Sequence, residues 1–110
     1  MAKTENINLQ VVGDDITLVL TVKINDVVTD VSGSTSSFTI RDSYGGSILS
    51  QSAGTFVTDG TDGQIEFNAP STSTTNATAD TDYVYDIGIT LASGRKYTLK
   101  RGLVRFVADV

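Results

Sequence analysis

Strand-like alternation is the feature that most constrains how this chain can fold. Across residues 16–24, aliphatic side chains occupy every second position, and threonine, valine and lysine lie between them. Residues 83–91 repeat the pattern with tyrosine, isoleucine and leucine. An amphipathic helix would space its apolar residues by about 3.6 positions, so both segments predict half-buried antiparallel strands at the centre of the fold.

Shorter strand candidates and turn signals divide the rest of the chain. Glycine- and aspartate-rich turns separate these candidates, and no convincing amphipathic helix interrupts them. Residues 70–81 carry no large apolar side chain and are predicted to cross between sheets as a loop or a short turn of helix. The pattern predicts an all-β sandwich or small barrel. The further strands are predicted at residues 7–12, 36–41, 47–50, 54–58, 64–68 and 97–108.

Two tyrosines favour one kind of sandwich. In the immunoglobulin-like fold, a tyrosine near the start of a late central strand bonds to upstream backbone, and the residue two positions later points into the core. Tyr83 and Tyr85 fit these positions, and Phe38 would fill the volume of the tryptophan that the chain lacks. Ordinary core tyrosines would give the same pattern. We predict an immunoglobulin-like antiparallel β-sandwich of seven to eight strands, formed by a single domain over residues 1–110.

The absence of two residue types excludes much chemistry. The 110 residues include no cysteine and no histidine, so disulfides, thiolate nucleophiles and imidazole bases are excluded. A hydrolase that uses two carboxylates is still open. The close acidic pairs, Asp14 with Asp15 and Asp80 with Asp82, lie in or beside predicted turns, where capping is expected rather than catalysis. We predict that the chain is not an enzyme and has no catalytic residue and no cofactor.

The run Asp59-Gly60-Thr61-Asp62-Gly63 is the most site-like segment. Alternating carboxylates and glycines can wrap a calcium ion. Asp-Gly pairs also form hairpin turns, and the predicted strands on either side require one. The closing glutamate of an EF-hand loop is missing. We expect a turn without metal, with Asp59 and Asp62 as the ligands if calcium binds.

The formal net charge of −5 is divided unevenly along the chain. Residues 95–110 contain five basic residues and one acidic residue, a balance of +4, whereas the remainder has three basic and twelve acidic residues, a balance of −9. Complementary potentials steer association, so the basic segment is predicted to contact identical subunits or an acidic partner. Basic residues that prevent strand pairing at an edge would give the same pattern. The predicted contact residues are Arg95, Lys96, Lys100, Arg101 and Arg105.

Nucleic acids and membranes are not expected as partners. The chain is acidic, and its basic segment has few aromatic residues on which bases could stack. No apolar run approaches the length of a membrane-spanning helix, and residues 1–6 lack the apolar region of a signal peptide.

Taken together, the strand and turn signals resemble those of a known family. Small immunoglobulin-like domains from structural proteins of tailed bacteriophages are similar, including the N-terminal domain of siphophage upper baseplate proteins. The resemblance spans nearly the whole chain and consists of strand and turn signals rather than a reactive motif. Its landmarks are Gly13-Asp14-Asp15, Asp30-Val31-Ser32-Gly33, Phe38-Thr39-Ile40-Arg41-Asp42, Gly45-Gly46, Asp62-Gly63-Gln64-Ile65-Glu66-Phe67, Tyr83-Val84-Tyr85-Asp86-Ile87, Ala92-Ser93-Gly94-Arg95 and Gly102-Leu103-Val104-Arg105-Phe106-Val107.

This resemblance implies a virion structural protein, made in the host cytoplasm, that binds other virion proteins in several copies or as a homo-oligomer. Because only one domain is expected, a capsid decoration (cement), neck or tail-accessory role is favoured over a baseplate role. The terminal segments, residues 7–12 and 97–110, are the expected places for addition to a partner's sheet. The alternative function is an adhesin-like or carbohydrate-binding module that uses Tyr44 and the loop around Asp59, assisted by calcium.

Overall fold

Two larger β-sheets, with a separate two-stranded hairpin, pack around one apolar core, and this confirms the predicted all-β sandwich. The computed structural model describes residues 3–4 and 6–108. Their secondary structure comprises eleven strands and one short helix: β1 (Lys3–Thr4), β2 (Ile7–Val11), β3 (Ile16–Thr21), β4 (Lys23–Ile24), β5 (Val27–Val28), β6 (Thr35–Arg41), β7 (Ile48–Ala53), β8 (Thr55–Phe56), β9 (Gln64–Ala69), α1 (Ser71–Thr74), β10 (Thr81–Thr90) and β11 (Lys96–Val107).

The strand order is that of an immunoglobulin-like sandwich. The larger sheet runs β1-β11-β10-β6-β7, with β2 also paired to β11, and the smaller sheet runs β3-β9-β8. These strands correspond to G, F, C and C′ in one sheet and B, E and D in the other. Seven of the strands contain five or more residues, in agreement with the predicted seven to eight.

The predicted strand at residues 16–24 is interrupted after six residues. β3 ends before Val22, which is buried and donates its backbone N–H to the carbonyl oxygen of Gly63 at 2.8 Å. β4 then pairs with β5 through a turn at Asn25 and Asp26, whose φ angles of 53° and 62° are those of a two-residue hairpin turn. The alternation therefore predicts the face of each residue correctly, but not where the strand ends.

Both N-terminal strands run parallel to the last strand, in contrast to the predicted antiparallel arrangement. β1 pairs with β11 at Lys100 and the next residue, and β2 pairs with it between Val104 and Val107. Ile7 packs against the core beside this pairing, so the arrangement buries apolar surface. Residues 97–110 are predicted to add to a partner's sheet, but β11 offers no free edge at these paired positions. Residues 109–110 of that segment lie outside the described part of the chain.

Aromatic side chains fill the centre of the core as predicted. Phe38 is 1% exposed and contacts both Phe67 and Tyr85 in edge-to-face geometry. The ring centroids are 6.3 Å apart for the first pair and 5.9 Å apart for the second. Phe38 and Tyr85 thus occupy the central core positions predicted from the sequence, where antibody domains carry tryptophan and cysteine.

The tyrosine corner is also confirmed. The backbone N–H of Thr78 donates to Tyr83 Oη at 2.8 Å, five residues upstream of the tyrosine. The ring of Tyr83 is buried and packs edge-to-face on Phe106, with centroids 5.4 Å apart. This bond fixes the end of the crossing at residues 70–81, which contains the single-turn helix α1 as predicted.

Candidate interaction surface

A bulge in β11 decides which way its basic side chains face. Thr98 pairs with Gly88 and Lys100 pairs with Ile87, so Leu99 is an extra, bulged residue. The bulge shifts the alternation of side chains between the two faces of the sheet by one residue. The outward face of the larger sheet, here called the basic face, consequently carries Lys96, Arg101 and Arg105. Lys100 points instead toward the space between the sheets.

Lys100 is therefore separated from the other predicted contact residues. Its side chain is half-buried and lines a groove of about 280 Å³ between the sheets, together with Leu18, Leu20 and Ile87. A partner that lies flat on the basic face would not meet this ammonium group. Sequence order alone had placed Lys100 and Arg101 in one cluster.

Arg101 is held by an aromatic ring from a neighbouring loop. Its guanidinium carbon lies 4.4 Å from the ring centroid of Tyr44, in the loop between β6 and β7. Tyr44 Oη in turn donates to the carbonyl oxygen of Gly102 at 3.4 Å. A cation–π contact at an exposed site contributes about 0.5–1 kcal/mol, which favours one orientation of the guanidinium group.

Arg105 is paired within the domain. Its Nη1 lies 3.1 Å from Asp82 Oδ1 on the adjacent strand, and its Nη2 donates to the backbone oxygen of Asp80 at 3.1 Å. The two side chains of the ion pair are 43% and 53% exposed, so solvent weakens the pair to about 0–1 kcal/mol. This contact orients Arg105 and identifies Asp82 as its partner.

Arg95 and Lys96 are the predicted contact residues with the greatest freedom to meet a partner. Both are exposed, at and just after the turn that joins β10 to β11. Within residues 3–4 and 6–108, neither side chain forms a hydrogen bond or an ion pair. The turn itself is ordered, because the N–H of Leu91 donates to the carbonyl oxygen of Arg95 at 2.8 Å.

Asp14 and Asp15 serve a turn and a cap, as the sequence predicted, whereas Asp82 lies within β10 and pairs with Arg105. Asp15 Oδ1 accepts the backbone N–H of Ser71 at 2.6 Å, and the backbone oxygen of Asp14 accepts the hydroxyl of buried Thr74 at 2.6 Å. These bonds join the turn before β3 to helix α1. Among the described residues, no three His, Cys, Asp or Glu side chains are grouped so that they could hold a metal ion.

Asp59 and Asp62 bind donors of their own loop. Asp59 Oδ1 accepts both the hydroxyl of Thr61 at 2.7 Å and its backbone N–H at 3.0 Å. Asp62 accepts the hydroxyl of Thr58 and the backbone N–H of Gln64, each at 3.0 Å. Two hydrogen bonds from Thr61 lower the pKa of Asp59 below its ordinary value, and the bond from the hydroxyl has a larger effect than the bond from the backbone N–H.

The pKa of Asp59 makes the loop geometry testable in solution. We expect Thr61→Val to raise this pKa, because the substitution removes the larger of the two hydrogen bonds that favour the carboxylate. A group with a lowered folded pKa contributes stability above its unfolded pKa and loses it as the pH falls through the folded value, so the loop is weakened by acid. Carboxyl carbon shifts followed by NMR during a pH titration measure the change.

Thr58→Val is the matched control for this titration. Thr58 donates to Asp62, so its loss leaves the donors of Asp59 in place. Equal Asp59 pKa values in the Thr61→Val variant and the unmodified chain would contradict the geometry described here.

A shallow cleft on the basic face was not predicted from the sequence. It has a volume of about 370 Å³ and lies over Gly88, whose missing side chain leaves the space open. Thr35, Ser37, Thr90 and Lys96 are among the residues that line it. The available signal was the glycine inside a strand pattern, which often marks close approach by another chain or ligand.

No helix in the described part of the chain has the length and apolar character needed to cross a membrane. The virion role expected from the sequence stays a prediction. No protein-family model matches the chain, and a comparison with characterised proteins gives no significant match.

Proposed function

We propose that the chain is a non-enzymatic structural protein of a tailed-bacteriophage virion, of the capsid decoration (cement), neck or tail-accessory kind. In this role it is made in the host cytoplasm and binds neighbouring virion proteins. The sequence resemblance supports the class of protein. The observation that carries the binding role is the basic face, a strand-built surface with three outward cations on a chain of net charge −5.

The basic face is suited to protein contact because its cations are partly pre-ordered. Tyr44 holds Arg101 and Asp82 holds Arg105, so binding would immobilise fewer rotatable bonds than free side chains require. Arg95, directly before β11, adds a fourth cation beside Lys96, and both are exposed where a partner's carboxylates can reach them. Complementary charge of this kind sets the register of a contact more than its strength.

An acidic protein fits this face better than a nucleic acid does. Asp82 and Asp86 lie on the same face, directly opposite Arg105 and Arg101 on the neighbouring strand. A phosphate backbone would be repelled by these carboxylates, whereas a protein surface can place its own cations against them. The partner surface is therefore expected to be mainly acidic with a few basic residues.

Charge reversal at the start of β11 tests the proposal. We expect the double variant Arg95→Glu, Lys96→Glu to lower the amount of this protein in purified phage particles at least about tenfold, because like charges across a contact are destabilising. Quantitative mass spectrometry of particles that carry the variant as their only copy measures the effect. These residues are chosen because their reversal breaks no contact inside the domain, unlike reversal of Arg105.

The charge-conserving double variant Arg95→Lys, Lys96→Arg is the control and should be incorporated normally. Thermal melting of both purified variants checks that each domain is folded. Normal incorporation of a folded charge-reversed variant would contradict the docking role of this surface.

A further inference from the structure

Strand β3 forms an open edge of the smaller sheet. β9 pairs with one side of it along all six residues, and within residues 3–4 and 6–108 no strand pairs with the other side. In an immunoglobulin-like sandwich, strand A normally adds to strand B at this position. Here both N-terminal strands pair with β11 instead.

The β3 edge also lacks the features that protect natural edges from pairing. Its sequence from Ile16 to Thr21 contains no charged residue and no proline, and its pairing with β9 has no bulge. The edge strand β8 has only two residues, and the edge strand β7 is irregular where Ile48 pairs with Arg41. The edge strand β2 is also uncharged, but its pairing with β11 is irregular between Val104 and Phe106. Among the described strands, β3 is therefore the long and uncharged edge whose pairing is regular.

The backbone groups that point out of this edge can be identified. The N–H of Val22 donates to the carbonyl oxygen of Gly63, on the β9 side. The backbone N–H and C=O groups of every second residue before Val22 therefore also point toward β9. The carbonyl oxygen of Gln64 accepts the N–H of Val57 on the β8 side, so the backbone groups of Thr21, which lies opposite Gln64, point away from β9. Both observations direct the N–H and C=O groups of Thr17, Val19 and Thr21 toward the open side.

The sequence of this edge is self-complementary about Val19. We propose that two copies of this chain pair antiparallel through β3, around a two-fold axis at Val19. In this register Val19 meets its own copy, Thr17 meets Thr21, and Leu18 meets Leu20, so like residues face each other on both sides of the sheet. The outward backbone groups of residues 17, 19 and 21 then form the hydrogen-bonded pairs of an antiparallel ladder.

Charge fixes the same register at the ends of the strand. With Val19 on the two-fold axis, Asp15 of one copy lies opposite Lys23 of the other, and the symmetry forms this pair twice. A shift of the pairing by two residues removes both opposite-charge pairs. Both side chains are exposed, and because Asp15 Oδ1 accepts the N–H of Ser71, the partner's Lys23 is expected at the other carboxylate oxygen.

Apolar surface beside the edge adds to the tendency to pair. Val19 is 59% exposed on the outer face of the sheet. On the inner side, the groove of about 280 Å³ opens beside β3, lined by Ile7, Leu18, Leu20 and Ile87 among others. A second copy of β3 would cover Val19 and lie across the mouth of this groove.

Sedimentation equilibrium of the purified full chain tests the proposal. We expect twice the mass of one chain at micromolar concentration, and we expect Val19→Lys to raise the dissociation constant at least about a hundredfold, because it places two ammonium groups opposite each other. Val19 faces solvent, so lysine at this position should leave the fold intact, which circular dichroism and thermal melting check.

Val57→Lys is the matched control. Val57 is 47% exposed and follows β8, on the opposite side of the smaller sheet from β3, so this variant should dimerise like the unmodified chain. A dimer that survives Val19→Lys would overturn the proposal by placing the interface elsewhere. A chain that is monomeric at all accessible concentrations would also overturn it, and would leave the edge to an extended segment of a different protein.

The register can be read with spin labels, because the chain has no native cysteine. Single cysteines placed at Thr17, Val19 and Thr21 are labelled in turn. The label at position 19 should show the strongest dipolar broadening between copies, with weaker and equal broadening at positions 17 and 21. A maximum at another position would overturn the two-fold axis at Val19.

Discussion

Replacement of Phe38 by alanine is expected to lower the free energy of unfolding by about 3–5 kcal/mol. The side chain is 1% exposed and contacts both Phe67 and Tyr85, so its loss removes two edge-to-face contacts and leaves a cavity between the sheets. A small domain has a total stability of about 5–15 kcal/mol, so the variant should be close to unfolding. Urea denaturation followed by circular dichroism measures the change in midpoint and slope.

Phe56→Ala is the matched control, since it makes the same chemical change at a side chain that is 36% exposed. We expect it to cost less than half as much, because part of the ring surface is already in water. Equal losses of stability at the two positions would contradict the assignment of Phe38 to the centre of the core.

Replacement of Tyr83 by phenylalanine is expected to cost about 1–3 kcal/mol, although only one oxygen atom is removed. That oxygen accepts the N–H of Thr78, and the bond is partly buried. Without it the donor at the end of the crossing between sheets lacks its acceptor, and an unsatisfied buried donor costs its full desolvation energy. Urea denaturation measures the loss of stability. A change in the amide chemical shift of Thr78 between the two proteins would localise it.

Tyr44→Phe provides the comparison for this substitution. Tyr44 is 50% exposed, and its hydroxyl lies 3.4 Å from the oxygen of Gly102, so water can replace the bond at little cost. A change of about 0.5 kcal/mol or less is expected. If both tyrosine variants lost the same stability, the corner at Tyr83 would not have the structural role described.

The sequence predicted most of the fold because strand periodicity reports directly on which side chains are buried. Residues 16–24 alternate between core and solvent as expected, even where the strand is interrupted. Tyr83 and Phe38 were predictable for a different reason, since each fills a position whose geometry the immunoglobulin-like fold defines. In both cases a local pattern determined the result.

Pairing partners were less predictable, because they depend on contacts distant in sequence. The break at Val22 is stabilised by its bond to Gly63, about forty residues away, and no local signal marks it. The parallel pairing of β2 with β11 joins the two ends of the chain. Alternation gives the same pattern for an edge strand and for a strand that is paired on both sides. It therefore did not indicate that β1 and β2 pair with the second side of β11.

The candidate surface was predicted in its residues but not in its arrangement. Five basic residues were identified from charge, and one bulge at Leu99 determined that Lys100 faces inward while Arg101 faces outward. The contact between Arg101 and Tyr44 joins elements more than fifty residues apart. Charge counting identifies the cations, whereas the register of β10 and β11 determines which of them a partner can meet.

The direct test of the central proposal, that the chain is a virion structural protein, is quantitative mass spectrometry of phage particles purified from lysates that contain it. We expect its peptides in mature particles at a fixed ratio to the major structural proteins, unchanged after a high-salt wash and a second gradient. A ratio that falls toward zero with purification, or absence from mature particles of a host lysate that contains the protein, would contradict the proposed function.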